Sequence, residues 1–439
     1  MILPRKTRPS PRREEGVIII LVAVFLLFVV GAMAALSIDV VTLYTARSEA
    51  QLAADGAALA AARVLANSGM TSLADATLAT NAQAMATAMA KQVAQTNSVG
   101  GRSLAAAEVT VSFPNAGAPG FQNNPRVTVQ VRRIDLPTFF ARIWGWTQQS
   151  LSATATAEAY NPSGLSGLAL TSSPPVATAC VKPWVLPNLD PTGSTPVDTI
   201  FDANGNIKNP SLVGWTDPNP TFFARCGFAC NGSQTAVKWE YFPGTLASFP
   251  APTSALPSCL GGAPFNDYQK SVAGCVQKTI SCTDSVDLDV SSHLGRNSET
   301  ATAVNCLTHS SPSAFGNGDS VSVTPYINPG QPFQFVAGTS NPIPGASGQN
   351  IEVSDSLVTV PVYDSSGGAH SGTVNLVGFV QLFLNSNGIG TPASGPTAGH
   401  IKTTVVNLIG CGNPGSGATM GTPVIGNGSS AVAVRLVSQ

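Results

Sequence analysis

The chain has 439 residues, a formal net charge of −1 and only 10% charged residues. This length is enough for two to four domains. Because positive charge is not in excess, the composition gives no electrostatic support for binding a polyanion, and we expect no nucleic-acid partner.

The N-terminus combines a basic leader with a long apolar run. Several Lys and Arg residues precede an uncharged run from Val17 to Ile38, which stops at Asp39. As a helix this run spans roughly 33 Å, enough to cross the hydrocarbon core of a bilayer. Since Lys and Arg mark the cytoplasmic flank of a span, we expect residues 1–16 to be a cytoplasmic tail and residues 17–38 a single-pass signal anchor in the inner membrane. The bulk of the chain is then periplasmic or extracellular.

Two other fates of this segment stay open. Ala32-Met33-Ala34 fits the A-x-A pattern of a signal-peptide cleavage site. Processing after Gly16, as in type IV prepilins, is a third possibility, but Leu21 stands where such prepilins carry a Glu. The apolar run continues past Ala34, which favours a retained anchor.

Residues 39–160 show two helical segments followed by strands. The pattern predicts a helix from Asp39 to about Asn67 and a second helix from Ser72 to about Thr96. Apolar residues then alternate with polar ones, which predicts half-buried strands, in segments 109–113, 127–131 and 151–157. A short helix ended by Gly145 is expected between the last two strands. We therefore expect a helix–strand domain with a small antiparallel sheet.

The first helix after the span is rich in alanine, with seven Ala between residues 53 and 62. Small side chains let a helix approach a neighbour closely. The sequence leaves open whether this helix packs against a partner, packs against the sheet of its own domain, or carries alanine only for its helix propensity.

Residues 161–439 change in composition to Pro, Gly, Ser, Thr and Asn, and short strand candidates separated by turns predict an all-β, loop-rich exported region. All cysteines of the chain lie in this region, and their even number predicts disulfides in an oxidising compartment. The close pairs Cys226–Cys230 and Cys275–Cys282 are each spaced to close a short loop, but connectivity is otherwise open. The eight candidates are Cys180, Cys226, Cys230, Cys259, Cys275, Cys282, Cys306 and Cys411.

No motif in the chain indicates catalysis, a cofactor or a metal. Gly410–Gly415 matches G-x-G-x-x-G, but no helical pattern follows it to hold a pyrophosphate. Asp202–Asn206 begins like a calcium loop but has its Gly too early. The four His residues are scattered. We therefore expect no catalytic, cofactor-binding or metal-binding residue, and an exported hydrolase is the least favoured function.

A set of residues around the span forms a recognisable order. Gly16 precedes the apolar run, Asp39 ends it, and Leu43-Tyr44, Arg47 and Gln51 follow, then Ala53-Ala54-Asp55 and further alanines. This stretch, from Arg12 to Ala62, resembles the N-terminal module of the TadE/TadG-like proteins of Flp (Tad) pilus assembly. It departs from the family at Gly56, in place of Ala, and in the order Gln51-Leu52. A weaker likeness covers residues 127–159.

The resemblance implies an α+β fold in which a single transmembrane helix continues into a pilin-like helix packed with a small sheet, ahead of the β-rich region. It implies a structural or assembly role, not an enzymatic one, with other pilus or secretion-apparatus proteins as partners. The residues expected to orient the helix at the membrane exit and in its contacts are Asp39, Tyr44, Arg47, Gln51 and Asp55. The alternative is an adhesin or ligand-binding module that is displayed from the membrane or secreted.

Overall fold

The structure is a computed structural model. It describes residues 14–114, 124–162, 176–195, 197–203, 205–215, 224–225, 240–253, 265–276, 278–282, 284–289, 296–310, 318–366, 372–385, 394, 398–411, 424–426 and 430–438.

The first helix, α1 (Glu14–Asn67), runs without a break through the apolar segment and on into the folded part of the chain. Its 54 residues give a length of roughly 80 Å. The apolar side chains from Val17 to Ile38 are almost all exposed, and the next residue, Asp39, is the first buried one that the structure describes in α1. In the described part of the chain, α1 is the one helix long and apolar enough to cross a membrane.

Three further α-helices follow: α2 (Ala76–Thr96), α3 (Asp267–Ala273) and α4 (Asn297–Leu307). The described strands are β1 (Ser98–Val99), β2 (Arg102–Ser103), β3 (Val109–Ser112), β4 (Arg126–Pro137), β5 (Gln148–Tyr160), β6 (Val176–Thr178), β7 (Trp184–Pro187), β8 (Ala224–Arg225), β9 (Glu240–Pro243), β10 (Ile280–Ser281), β11 (Ser285–Asp287), β12 (Ser320–Val323), β13 (Gln334–Val336), β14 (Asn350–Ile351), β15 (Leu357–Tyr363), β16 (Thr373–Leu384), β17 (Thr403–Gly410), β18 (Val424–Gly426) and β19 (Ala433–Ser438). The predicted α+β class is confirmed.

The first sheet is antiparallel and has the strand order β19-β5-β4-β3. Strands β4 and β5 alternate as the sequence predicts, and their inward residues meet across the sheet at pairs such as Val129 and Ala155. The part of α1 that follows Asp39 and the helix α2 cover this face. We call the part of α1 from residue 39 onward, together with α2, β3, β4, β5 and β19, the N-terminal module.

The alanines of α1 pack inside this module, against its own sheet and α2. Their side chains leave no room between helix and sheet, and the spacing of three and four residues places them on one side of α1. The alanines of α2 recur every third or fourth residue and form a matching ridge. The fully or almost fully buried alanines are Ala46, Ala50, Ala53, Ala54, Ala57, Ala58, Ala61, Ala62 and Ala66 in α1, with Ala79, Ala82, Ala86, Ala90 and Ala94 in α2.

The fourth strand of this sheet comes from the far end of the chain. Strand β19 pairs antiparallel with β5, and Arg435 lies opposite Glu158. The Glu158 side chain is only 2% exposed and holds two arginines, Arg435 at 2.6 Å and Arg126 at 3.1 Å. The guanidinium of Arg435 also lies 4.9 Å from the centre of the Tyr160 ring. The sheet of the N-terminal module is therefore completed by a strand from the region that follows residue 160.

The β-rich region is built on a second, mixed sheet with the order β11-β16-β15-β7-β9-β8, to which β17 adds beside β16. Helices α3 and α4, which the periodicity did not predict, contribute Tyr268 and Val304 to its core. Helix α3 is short and depends on a capping box between Asn266 and Gln269. Its Tyr268 hydroxyl lies 3.3 Å from the indole nitrogen of Trp184, a fully buried core residue.

The C-terminal end of α1 is joined to the β-rich region by buried polar side chains. Asn407 of β17 donates its amide to the carbonyl of Ala66 at 2.6 Å and to the side-chain oxygen of Gln381 at 2.5 Å. The Thr71 hydroxyl donates to Asn407 at 3.0 Å. Carbonyls in the last turn of a helix have no hydrogen-bond donor within the helix. Asn407 supplies such a donor to Ala66, and together these contacts fix the direction of α1.

Two disulfides are defined, Cys180–Cys275 and Cys282–Cys411, and Cys306 is also disulfide-bonded. The prediction that Cys275 and Cys282 close a short loop together is wrong, since each bonds to a cysteine about a hundred residues away, at separations of 95 and 129. Cys226, Cys230 and Cys259 lie outside the described residues. The bonds tie the start of the β-rich region to its middle, and its middle to the end of β17.

Candidate membrane-exit and helix-contact site

Asp39 is the first charged residue after the apolar run, and its carboxylate binds the turn that connects β4 and β5. Its carboxylate accepts hydrogen bonds from the backbone N–H groups of Phe139 at 2.9 Å, Phe140 at 3.1 Å and Ala141 at 2.8 Å. These groups start the 3-10 helix Ala141–Trp144, where N–H donors lack partners within the helix. A carboxylate that receives several N–H donors makes strong, charge-assisted hydrogen bonds. Asp39 therefore clamps this turn to α1.

The charge of Asp39 is favoured by the same contacts. Desolvation raises the pKa of this carboxyl, but the hydrogen bonds from Ala141, Phe139 and Phe140 outweigh it and hold the pKa below its ordinary value. The ionised Asp39 carboxylate stabilises the fold at pH values above the ordinary pKa of the group. This stabilisation is lost as the pH falls through the lowered pKa of the folded protein. The clamp is thus fully formed at neutral pH.

The clamped turn exposes aromatic side chains. Phe139 is 60% exposed and Trp146 is 63% exposed. The turn is held in shape by a hydrogen bond from the Trp146 N–H to the Ala141 carbonyl at 3.2 Å and by Gly145 in a left-handed conformation. The short helix ended by Gly145, expected from the sequence, is present, although it is a 3-10 helix.

Gln51 and Asp55 face the sheet of their own module. The Gln51 amide donates to the Asp55 carboxylate at 2.8 Å, one turn further along α1, and to the carbonyl of Thr154 in β5 at 3.3 Å. Both side chains are half-buried. Gln51 therefore links α1 to β5, and Asp55 holds the Gln51 amide in place.

Tyr44 and Arg47 do not join this arrangement, since both are exposed, Tyr44 at 78%. Tyr44 lies on one face of α1 with Val41 and Leu52, which are 64% and 68% exposed. Val41 and Leu52 lie on the side opposite the buried alanines, and Tyr44 lies beside them, on the flank of the helix that continues to Gln51 seven residues later. We call Val41, Tyr44 and Leu52 the outer face of α1.

Sequence reasoning missed one residue of the membrane-exit region. The Glu49 carboxylate accepts a hydrogen bond from the backbone N–H of Gly100 at 2.7 Å, tying α1 to the turn after α2. Gly100 has a φ of +59°, and a Cβ there would lie 2.2 Å from a methyl carbon of Leu136. The pair Gly100-Gly101 marks a turn in the sequence, but nothing local indicates that Glu49 binds it.

We expect Asp39→Asn to loosen the clamped turn while leaving the fold of the module in place. A carboxamide has one acceptor oxygen where three N–H groups converge, and its NH₂ group points a donor at donors. Backbone hydrogen exchange at residues 139–141 should accelerate by about tenfold, the scale of one lost charge-assisted hydrogen bond. Exchange mass spectrometry of the full-length protein in bilayer discs measures this.

A matched control is available at Asp75, which caps α2 by accepting from the Leu78 N–H at 2.7 Å. Because Asn and Asp serve about equally well as an N-cap, Asp75→Asn should leave exchange nearly unchanged both at the start of α2 and at residues 139–141. Equal exchange at residues 139–141 in wild type and Asp39→Asn would show that the clamp does not hold the turn.

Among the residues that the structure describes, no three or more His, Cys, Asp or Glu side chains are grouped so that they hold a metal ion. The expectation that the chain has no metal, cofactor or catalytic residue stays a prediction.

Comparison with known proteins bears on the N-terminal part of the chain. Residues 16–64 match a family model described as putative Flp pilus-assembly TadE/G-like, and residues 46–157 match one described as putative Tad-like Flp pilus-assembly. No curated protein and no solved structure gives a significant match. The resemblance drawn from the sequence is therefore confirmed over residues 16–157, whereas the matches do not extend to β19 or to the β-rich region.

Proposed function

We propose that this chain is a membrane-anchored structural component of a Flp (Tad) pilus or a related secretion apparatus, with residues 1–16 in the cytoplasm and the rest exported. The observation that carries the proposal is the continuity of α1. One helix joins the exposed apolar segment to the module that matches the Flp pilus-assembly families. An apolar surface of this length is unfavourable in water and favourable in a bilayer.

The orientation rests on the basic leader before Val17, which belongs on the cytoplasmic side of an inner membrane. The disulfides of the β-rich region agree with an oxidising compartment on the other side. Cleavage after Ala34 would separate the apolar segment from the module and leave the exported part free.

We propose the outer face of α1 as the surface that contacts other apparatus proteins. Exposed aromatic and aliphatic side chains at one helix face are typical of helix-to-helix contacts. Of the residues that the resemblance assigned to orientation, Tyr44 belongs to this outward contact. The module itself holds the contacts of Asp39, Gln51 and Asp55. Arg47 lies beside Tyr44 on the exposed part of the helix.

Fractionation of the full-length protein with a C-terminal tag tests the anchor. A full-length band that resists alkaline extraction from the inner membrane, and shifts in mobility on reduction, supports the proposal. A shorter band in the soluble periplasmic or secreted fraction would establish cleavage near Ala34. The chain would then be better explained as a free ligand-binding module.

A substitution of Tyr44 tests the assembly role. We expect Tyr44→Ala to reduce the recovery of partner proteins with the tagged chain, and the yield of sheared surface filaments, by about tenfold, as for a central interface aromatic. Membrane extraction should not change. The control is Tyr326→Ala, at a tyrosine of the β-rich region that is 56% exposed. Equal yields from Tyr44→Ala and Tyr326→Ala would exclude the outer face as the contact surface.

A further inference from the structure

The turn that Asp39 clamps carries a second set of exposed aromatics, which the assembly role does not use. Phe139 and Trp146 flank the 3-10 helix Ala141–Trp144, and Arg142 on the same turn is also exposed. Exposed Trp and Phe side chains so close together are uncommon on a soluble surface, and they indicate a contact with another phase or molecule. We call Phe139, Arg142 and Trp146 the exit patch.

The height of the exit patch along α1 is fixed by hydrogen bonds. The backbone of residues 139–141 lies within 3.1 Å of the Asp39 carboxylate. Asp39 follows directly on the last residue of the apolar run. The patch is therefore held at the level where α1 leaves the apolar segment, and not further up the module.

We propose that the exit patch docks on the bilayer itself, in the headgroup region of the leaflet that α1 crosses last. This inference rests on the proposed anchoring of α1. Trp is enriched at membrane–water interfaces, because its ring is apolar and its N–H reaches water. Arg142 adds a cation that anionic headgroups attract. No other occupant is equally favoured, since a patch at this height faces lipid as soon as α1 spans the membrane.

Docking of the exit patch gives the N-terminal module two contacts with the membrane, the span and the turn. A single helix leaves the tilt and rotation of an exported module undefined, whereas interfacial anchors restrict both. Because Asp39 binds the turn, a turn that is fixed on the membrane also fixes the orientation of α1. The outer face then points along the membrane, in a fixed direction toward neighbouring subunits.

Tryptophan quenching by brominated lipids tests the docking. The full-length protein is reconstituted in bilayers of phosphatidylcholine and phosphatidylglycerol, with or without bromine near the top of the acyl chains. The difference in emission between wild type and Trp146→Phe isolates Trp146. We expect brominated lipid to reduce this difference at least twofold.

The matched control is Trp215→Phe. Trp215 follows Val213, whose side chain lies against Gly69 beyond the other end of α1, roughly 40 Å from Asp39 by the helix rise. The difference in emission between wild type and Trp215→Phe should be the same in brominated and unbrominated lipid. A reduction-dependent mobility shift in both variants checks that they are folded.

The two proposals fail in different ways. Trp146 emission that is equally bright in both lipids, in a protein that resists alkaline extraction from the same bilayers, would overturn docking and leave the anchor intact. Protein that is released by alkaline extraction would overturn the anchor, and docking with it.

Discussion

A chain that stops after Gly428 is expected to be less stable than the full-length protein by about 4 kcal/mol. The truncation removes β19 and the buried residues that precede it, Ala431 and Val432. Burial of a Val side chain contributes roughly 2 kcal/mol. The lost cross-strand pairs contribute up to about 1 kcal/mol each. This loss is a large part of the stability of a typical domain.

The truncation should also change the surface of the N-terminal module. Without β19, strand β5 becomes an unprotected edge, and Glu158 loses Arg435, one of the two arginines that it binds. Exposed edges promote aggregation. Because β19 belongs to the sheet that α1 covers, we expect the effect to reach α1 and the rest of the N-terminal module, although the cut lies far from them in sequence.

Chemical unfolding in detergent micelles, followed by near-UV circular dichroism, measures this loss. The control is Val437→Ser, which keeps the strand and changes a side chain that is 38% exposed, so its effect should stay within about 0.5 kcal/mol. An unfolding midpoint of the truncated chain equal to that of Val437→Ser would contradict a structural role of β19.

The elements that could be predicted from the sequence are those set by local patterns. The apolar run, the helices α1 and α2 and the strands β3, β4 and β5 follow from the spacing of apolar residues, which depends only on neighbours in the chain. Residues 431–437 are one of the short strand candidates that the sequence of the β-rich region contains. The local sequence does not identify the partner of this strand, because the pairing of β19 with β5 joins residues more than 250 positions apart and no local pattern encodes such a choice.

The candidate site likewise combines features that the sequence shows with contacts that only the fold creates. The position of Asp39 at the end of the span is visible in the sequence, but its three N–H donors belong to a turn a hundred residues later. Cys275 and Cys282 are neighbours in sequence and bond elsewhere, because the fold decides which thiols meet. The family likeness grouped Tyr44 with Asp39, Gln51 and Asp55. Tyr44 lies seven residues before Gln51, on the same side of α1. Which of the two meets the sheet depends on where β5 lies along the helix, and the sequence of the helix does not encode that.

Packing of α2 on α1 gives the second large expected effect. Ala86→Leu should lower the free energy of unfolding by about 2–3 kcal/mol, because extra carbon atoms in a close-packed interface force backbone and side-chain shifts. Ala86 is 0% exposed, within the alanine ridge that continues to Ala82 and Ala90. The matched control is Ala88→Leu, two residues away on the exposed side of the same helix, where the change costs only a few tenths of a kcal/mol of helix propensity.

The same pair of variants separates anchoring from assembly. Ala86→Leu leaves the apolar segment of α1 untouched, so we expect its membrane extraction to match that of Ala88→Leu while partner recovery falls. Because Ala86 and Ala88 belong to α2, the pair tests whether the buried alanines of α2 serve packing or only helix propensity. If they serve packing within the module, a bulky residue at 86 moves α1 on its sheet and misdirects the outer face. If they serve helix propensity alone, the two variants should assemble equally well, since Leu is nearly as good a helix former at either position.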